Sequence, residues 1–492
     1  MDFRKAAFSL LSRIRNQVVC LGTANARRVW LASAILTLAI VVSLGVAAEQ
    51  RFPNSLSFLD PSGLITTFST SPTLDLSGPF FQNLGTNGRT CATCHQASDA
   101  WSVTPPHIQA RFMASQGLDP IFRPVDGATC PTKDVSTVEA RRRAYSLLLR
   151  KGLIRIGIQV PGGAEFEVID VDNPYSKDCE DTANLSMYRR PLPATNLSFL
   201  SAVMIDGRES IKDPQTGLLD LIPSLKHQAM DATTGHAQGV APTDGQLTQI
   251  VNFETALFTA QTRDDDAGPL HVDGARGGPV ALSHQDFFLG INDPLGGNPQ
   301  HLLFTPVIFT LYQKWLKIPD HEWDENSEAR ESIARGERLF NSFPIPISGV
   351  AGLNDIKGVG DPFMGTCGTC HDSPNVGDHS LSVPLNIGIA DESRRTVDSE
   401  GKPDIPLFTL RNIATGKIVK TTDPGRALIS GKWADIGKFK GPILRGLAGR
   451  APYFHNGSAA ALDDVVDFYQ TRFGLGLTPQ QQRDLVAFLK TL

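Results

Sequence analysis

Two pentapeptides concentrate the chemistry of this chain, Cys91-Ala92-Thr93-Cys94-His95 and Cys367-Gly368-Thr369-Cys370-His371. Two thiols three positions apart can form thioethers to the two vinyl groups of one porphyrin, and the histidine that follows then lies close enough to ligate its iron. A lone Cys-x-x-Cys also fits a redox dithiol or half a zinc site. Two copies, each followed by His, read as sites for two covalently bound haem c groups. Cys91, Cys94, Cys367 and Cys370 are the attachment points, with His95 and His371 as proximal iron ligands.

The 492 residues leave room for about two or three domains. A hydrophobic fraction of 41% against 20% charged residues excludes a chain disordered throughout. A net charge of −5 offers no basic field for nucleic acid. Residues 1–28 are a basic segment expected in the cytoplasm, and 29–48 form an uncharged stretch of bilayer-spanning length. Val46-Ala47-Ala48 also suits a signal-peptidase site, so anchor and cleaved signal both stand as readings. Either one exports the body, which is expected in the periplasm, with the inner membrane as a partner if residues 29–48 remain. Of the seven cysteines, Cys20 precedes the apolar stretch. Cys130 and Cys179 are left in an oxidising compartment and are expected to pair, with two buried thiols as the alternative.

Several elements must position the two motifs. Residues 49–77 read as a linker, 78–328 as an N-terminal haem domain with insertions, and 329–492 as a C-terminal haem domain. Residues 132–153 look helical, and the alternation in 154–181 suggests a hairpin. Asp264-Asp265-Asp266 reads as a solvated turn. Gly336 and Phe340 share a face of a helix over 330–341. Thr478-Pro479-Gln480-Gln481 is a capping box opening a helix with Leu485, Val486, Leu489 and Leu492 on one stripe. Crossing of those two helices would close a cytochrome c domain, with Gly336 permitting close approach. The expected fold class is mainly α: two cytochrome c-like haem domains with loop and short β-hairpin insertions.

The run from Leu444 to Ser458, containing Ala451-Pro452-Tyr453-Phe454-His455-Asn456-Gly457, continues to Leu462-Asp463-Asp464-Val465-Val466-Asp467-Phe468-Tyr469. It resembles the diheme cytochrome c peroxidase and MauG superfamily, as does Arg189–Asn196 followed by Asp206-Gly207-Arg208, more weakly. The resemblance covers most of residues 80–492. It implies a peroxide-handling first haem at His95 and an electron-transfer or charge-storing second haem at His371. The second haem's distal ligand would fall at Tyr469, fourteen residues after His455. Leu462, Val465, Val466 and Tyr469 lie on one apolar helical face, so a core aromatic is the plain alternative. Methionine raises haem potential whereas a phenolate favours higher oxidation states, so Tyr469 points toward MauG-like chemistry.

Departures from the family pattern surround the first haem. The tryptophan that the peroxidases place between haems is Ile205 here, and Trp101 is another candidate bridge. The distal glutamine matches Gln228, but the distal glutamate matches Gln238, which cannot accept and return a proton; His236, two residues away, can. His107 could instead close the first iron. The family's interdomain calcium is doubtful, because the matching side chains are Arg190 and Arg450, two cations that could face haem propionates.

The reading these features favour is a peroxidase-type oxidoreductase. It would take hydrogen peroxide and draw electrons from a small periplasmic donor or an oxidisable protein substrate. Two alternatives remain: a non-enzymatic diheme electron carrier, if both irons are six-coordinate, and a rubber-oxygenase-like haem oxygenase, against which the retained Gln228 speaks.

Overall fold

The computed structural model describes residues 51–175 and 177–492. The basic segment and the 29–48 stretch lie outside the described residues. Among the described residues no helix is long and apolar enough to cross a membrane.

Helices make up only about 30% and strands 18%, and the strands form four sheets, so the mainly α expectation does not hold. Residues expected to be a linker are instead β1 (Arg51–Asp60) and β2 (Gly63–Asp75) of a four-stranded sheet ordered β1-β2-β6-β7, where β6 is Leu257–Asp264 and β7 is Gly268–Pro269. The reason is visible in the register. Thr67 of β2 lies opposite Thr259 of β6, their hydroxyls 2.8 Å apart, and Thr259 meets the Thr195 hydroxyl at 2.9 Å. Thr and Ser that resemble a linker in one dimension satisfy one another across strands.

The expected hairpin in 154–181 is also corrected. β3 (Ile154–Gln159) pairs with β5 (Asn184–Arg189), while β4 (Phe166–Asp172) pairs with β8 (Leu407–Asn412), far along the chain. Alternation marked strands here but could not name their partners. Cys130 and Cys179 form a disulfide beside these strands.

The helices that carry the motifs' surroundings are α1 (Pro105–Ser115), α2 (Val138–Ala144), α3 (Ser146–Lys151), α4 (Leu221–Gly235), α5 (Asp244–Thr255), α6 (Ser327–Ser342), α7 (Leu462–Phe473) and α8 (Pro479–Lys490). α6 and α8 cross as their sequences suggest. A Cβ on Gly336 would stand 1.9 Å from the Asp484 carbonyl, so only glycine permits this approach. Gln481 N–H donates to Thr478 Oγ1, and Thr478 N–H donates back to Gln481 Oε1, closing the capping box of α8. Residues 308–315, assigned from sequence to the first half, pack in this core: Phe309 meets Phe340 and Phe488 edge-on, and Tyr312 stacks on Trp315.

Candidate haem sites and their shared wall

Both pentapeptides fold alike. Cys91–Thr93 and Cys367–Thr369 are single 3₁₀ turns, opened by Thr90 and Thr366. In each, the opening threonine N–H donates to the hydroxyl of the threonine three residues on, at 2.9 and 3.0 Å. In each, the histidine Nδ1–H donates to a carbonyl six residues downstream: His95 to Trp101 at 3.0 Å and His371 to Gly377 at 2.6 Å. That bond fixes the tautomer and leaves Nε2 free to bind a metal. Burial pulls the pKa of both imidazoles down, His371 to about 4, so each is the neutral form that ligates.

Each motif lines its own cavity. Burial pushes the Cys91, Cys367 and Cys370 thiols up to about 12, and raises Cys94 as well. A redox dithiol shows the opposite, a depressed thiol. The donor chemistry fits haem c, and so does the charge. Arg445 is buried with Nε and Nη2 unpartnered, and Arg450 Nε is unpartnered too. Buried guanidinium atoms require anions, and the two propionates of a haem are anions. Cys91, Cys94 and His95 would hold one haem, Cys367, Cys370 and His371 the other.

The two cavities share a wall of Arg190, Pro191, Leu192, Pro193, Ile205, Lys440, Pro442 and Arg450. Ile205 thus stands where the resemblance places a tryptophan. Trp101 is not in this wall. It is buried behind His95, and its indole N–H donates to Thr67 of β2 at 2.9 Å. Arg190 and Arg450 both line the shared wall; Arg190 Nη2 donates to the Arg450 carbonyl at 3.0 Å.

In the first cavity the structure brings together Gln228, from α4, and His236, just beyond its end. His236 Nδ1 lies 2.5 Å from Asp126 Oδ2, and Arg89 Nη1 donates to the same oxygen at 2.7 Å. Burial opposes ionisation of Asp126, but His236 and Arg89 outweigh it and hold the carboxyl below its ordinary range. Gln238 does not join them. α4 ends at Gly235, the chain turns, and Gln238 takes φ +54° on the surface, its Oε1 accepting from Asn87. A ten-residue spacing from Gln228 presumed a regular path that this turn breaks. His107 is likewise away from the cavity, exposed on α1 and paired with Asp99.

Sequence reasoning missed Asp126 and Glu254. Glu254 lines the first cavity from α5, buried, with Oε2 unpartnered and its pKa pushed up by burial to about 8. Its signal was present: Leu247, Ile250, Val251 and Glu254 form one helical stripe, apolar except for the carboxyl.

In the second cavity, Leu462, Val465, Val466 and Tyr469 of α7 face His371 and Phe340. Burial raises the Tyr469 phenol well above its ordinary pKa. Its ring meets Phe468 edge-on and stacks on Phe473. Arg189, at the end of β5, joins the halves of the sequence. It donates to Asp423 through Nε (2.7 Å) and Nη2 (2.9 Å), and to Asp206 through Nη1 (2.6 Å).

No family model matches the chain. Curated relatives do. Cytochrome-c peroxidase IdrP2 of Denitromonas iodatirespirans is 37% identical over 142 residues, 26% of this chain and 36% of that protein. Cytochrome-c peroxidase IdrP1 of the same organism is 28% identical over 199 residues, 37% of this chain and 46% of that protein. The chain therefore spans less than half the length of the curated relatives it matches. A solved MauG-like protein associated with microbial copper homeostasis overlaps 84% of this chain at 15% identity and a TM-score of 0.34. Over these partial stretches the chain is similar to cytochrome-c peroxidases.

Proposed function

We infer that the chain is an exported diheme c-type oxidoreductase that reduces hydrogen peroxide in the cavity beside His95 and passes or stores electrons at the cavity beside His371. The carrying observation is the His236–Asp126 pair on the first cavity's wall. Bound haem supplies the redox-active iron at which electrons enter and leave.

The side chains supply proton handling and orientation. With Nδ1–H committed to Asp126, His236 keeps Nε2 for a proton taken from peroxide and returned to the departing oxygen. Asp126, kept ionised by Arg89, stabilises the imidazolium in between. The Gln228 amide orients peroxide, and the protonated Glu254 is a second proton source in the same cavity. Peroxide, two electrons and two protons leave as two waters. The electrons come from a small periplasmic donor or an oxidisable protein side chain.

In this reading Tyr469 would help hold the second haem together with His371, and its phenol would lower that site's potential. Lys440, Arg190 and Arg450 in the shared wall would balance haem propionates, and such cations do not suit a calcium site. The Cys130–Cys179 disulfide supports an oxidising compartment, and we place the body in the periplasm, with or without an anchor at 29–48. His107, paired with Asp99 and not part of the first cavity's lining, gives the electron-carrier alternative no support.

Stopped-flow mixing of the holoprotein, peroxide and a reduced small redox protein tests the reading. Two donor equivalents should be consumed per peroxide. Donor oxidation that does not depend on peroxide would overturn it.

A further inference from the structure

Outside both cavities lies a third cluster. Asp293, Asp372 and His379 each present a ligand atom within 4.8 Å of the others'. All three are buried, at 3%, 0% and 3% exposure. Asp372 directly follows the iron ligand His371, and Asp293 comes from the loop over 290–298. That loop is seated firmly: Gly290 N–H donates to the Ser380 carbonyl at 3.0 Å and Asn292 Nδ2 to the Asp372 carbonyl at 3.1 Å.

Each carboxylate accepts backbone N–H bonds through one oxygen. Asp293 Oδ2 accepts from the N–H groups of Leu295 (3.0 Å) and Gly297 (2.6 Å). Asp372 Oδ1 accepts from Ser380 N–H at 2.6 Å, while its Oδ2 has no hydrogen-bond partner among the described residues. His379 Nδ1 stands 3.0 Å from that Oδ2 without the alignment of a hydrogen bond. The Ser380 hydroxyl is buried and unpartnered beside them. Among the described residues neither Asp293 nor Asp372 has a Lys or Arg ion partner. Two buried carboxylates share only the His379 imidazole, and convergent, unaligned donor atoms are what a metal ion satisfies.

We propose that Asp293, Asp372 and His379 bind one divalent metal ion of the zinc class. The charge is complementary, two carboxylates to one dication. A single imidazole with few oxygens suits zinc over calcium, which takes six to eight oxygen ligands. The ion would bind the 290–298 loop to the segment leaving the second haem motif.

The test uses the full-length holoprotein, assayed for metals by mass spectrometry after dialysis against a mild chelator, then titrated with Zn²⁺, Mn²⁺ or Ca²⁺ alone. One zinc per chain is expected beyond the haem iron. Asp293→Asn and His379→Gln should each weaken zinc binding by about tenfold or more, with the haem absorbance serving as the folding check. Glu209→Gln, in the more exposed Glu209–His227–Asp231 cluster, should leave that binding intact. No zinc retained or bound would overturn the proposal, leaving a charged His379–Asp372 pair. So would zinc binding indifferent to Asp293→Asn, or a site that takes calcium in preference to zinc.

Discussion

His236 Nδ1 lies 2.5 Å from Asp126 Oδ2, although the two residues are 110 positions apart. Arg89, two residues before the first haem motif, holds the same carboxylate and also donates to the His236 carbonyl at 3.2 Å. A residue just ahead of the motif thereby fixes the His236–Asp126 pair.

His236→Gln should lower the rate of peroxide reduction by about 10²- to 10⁴-fold, the range of positioned acid–base catalysis. Asp126→Asn should lower it as well, because the imidazolium loses its counter-charge. Stopped-flow traces on variants with unchanged haem absorbance check both. A variant of His236 with native turnover would return catalysis to another group, Glu254 first.

Tyr469→Met should raise the midpoint potential of the second haem on the order of 100 mV, within the roughly 0.8 V that axial ligands span. Spectroelectrochemical titration resolves the two haems. An unchanged potential would make Tyr469 a core aromatic of α7.

Gly336→Ala should destabilise the protein by about 1–3 kcal/mol, the usual cost of overpacking. The added methyl would meet the Asp484 carbonyl and Phe488, so α6 and α8 must separate. Denaturant unfolding followed at the Soret band reports it.

Glu337, on α6, accepts from Leu311 and Tyr312 N–H through one oxygen, and burial pushes its carboxyl from 4.5 to about 7. A carboxyl with a raised folded pKa binds more protons folded than unfolded, so stability falls as pH rises from about 4.5 to about 7 and then levels. The loss is on the order of 3 kcal/mol. Glu337→Gln keeps an oxygen for both N–H groups and should remove that part of the slope, read as the difference between wild-type and variant unfolding curves across this window.

Local chemistry was legible in the sequence. The haem motifs, the α8 capping box, the close approach at Gly336 and the apolar face carrying Tyr469 each depend on residues a few positions apart. What was not legible depends on distance. β4 finds β8, and Asp126 finds His236, across stretches that no periodicity encodes. The threonines of β2 concealed a strand because their hydroxyl partners Thr259 and Thr262 lie far along the chain, on β6. Gln238 was misplaced because spacing says nothing of where a helix stops. Glu254 could have been read, as the one carboxyl in an apolar stripe.

The pairing of β2 with β6 also sets a schedule. Thr67 supports Trp101, whose carbonyl fixes His95, yet Thr67 is itself held by Thr259. Joining strands so far apart is entropically slow. Until β6 arrives, Thr67 lacks the Thr259 hydroxyl, and the series of bonds through Trp101 to His95 is incomplete. The backing of the first motif thus hangs on a hydroxyl contact between residues 192 positions apart.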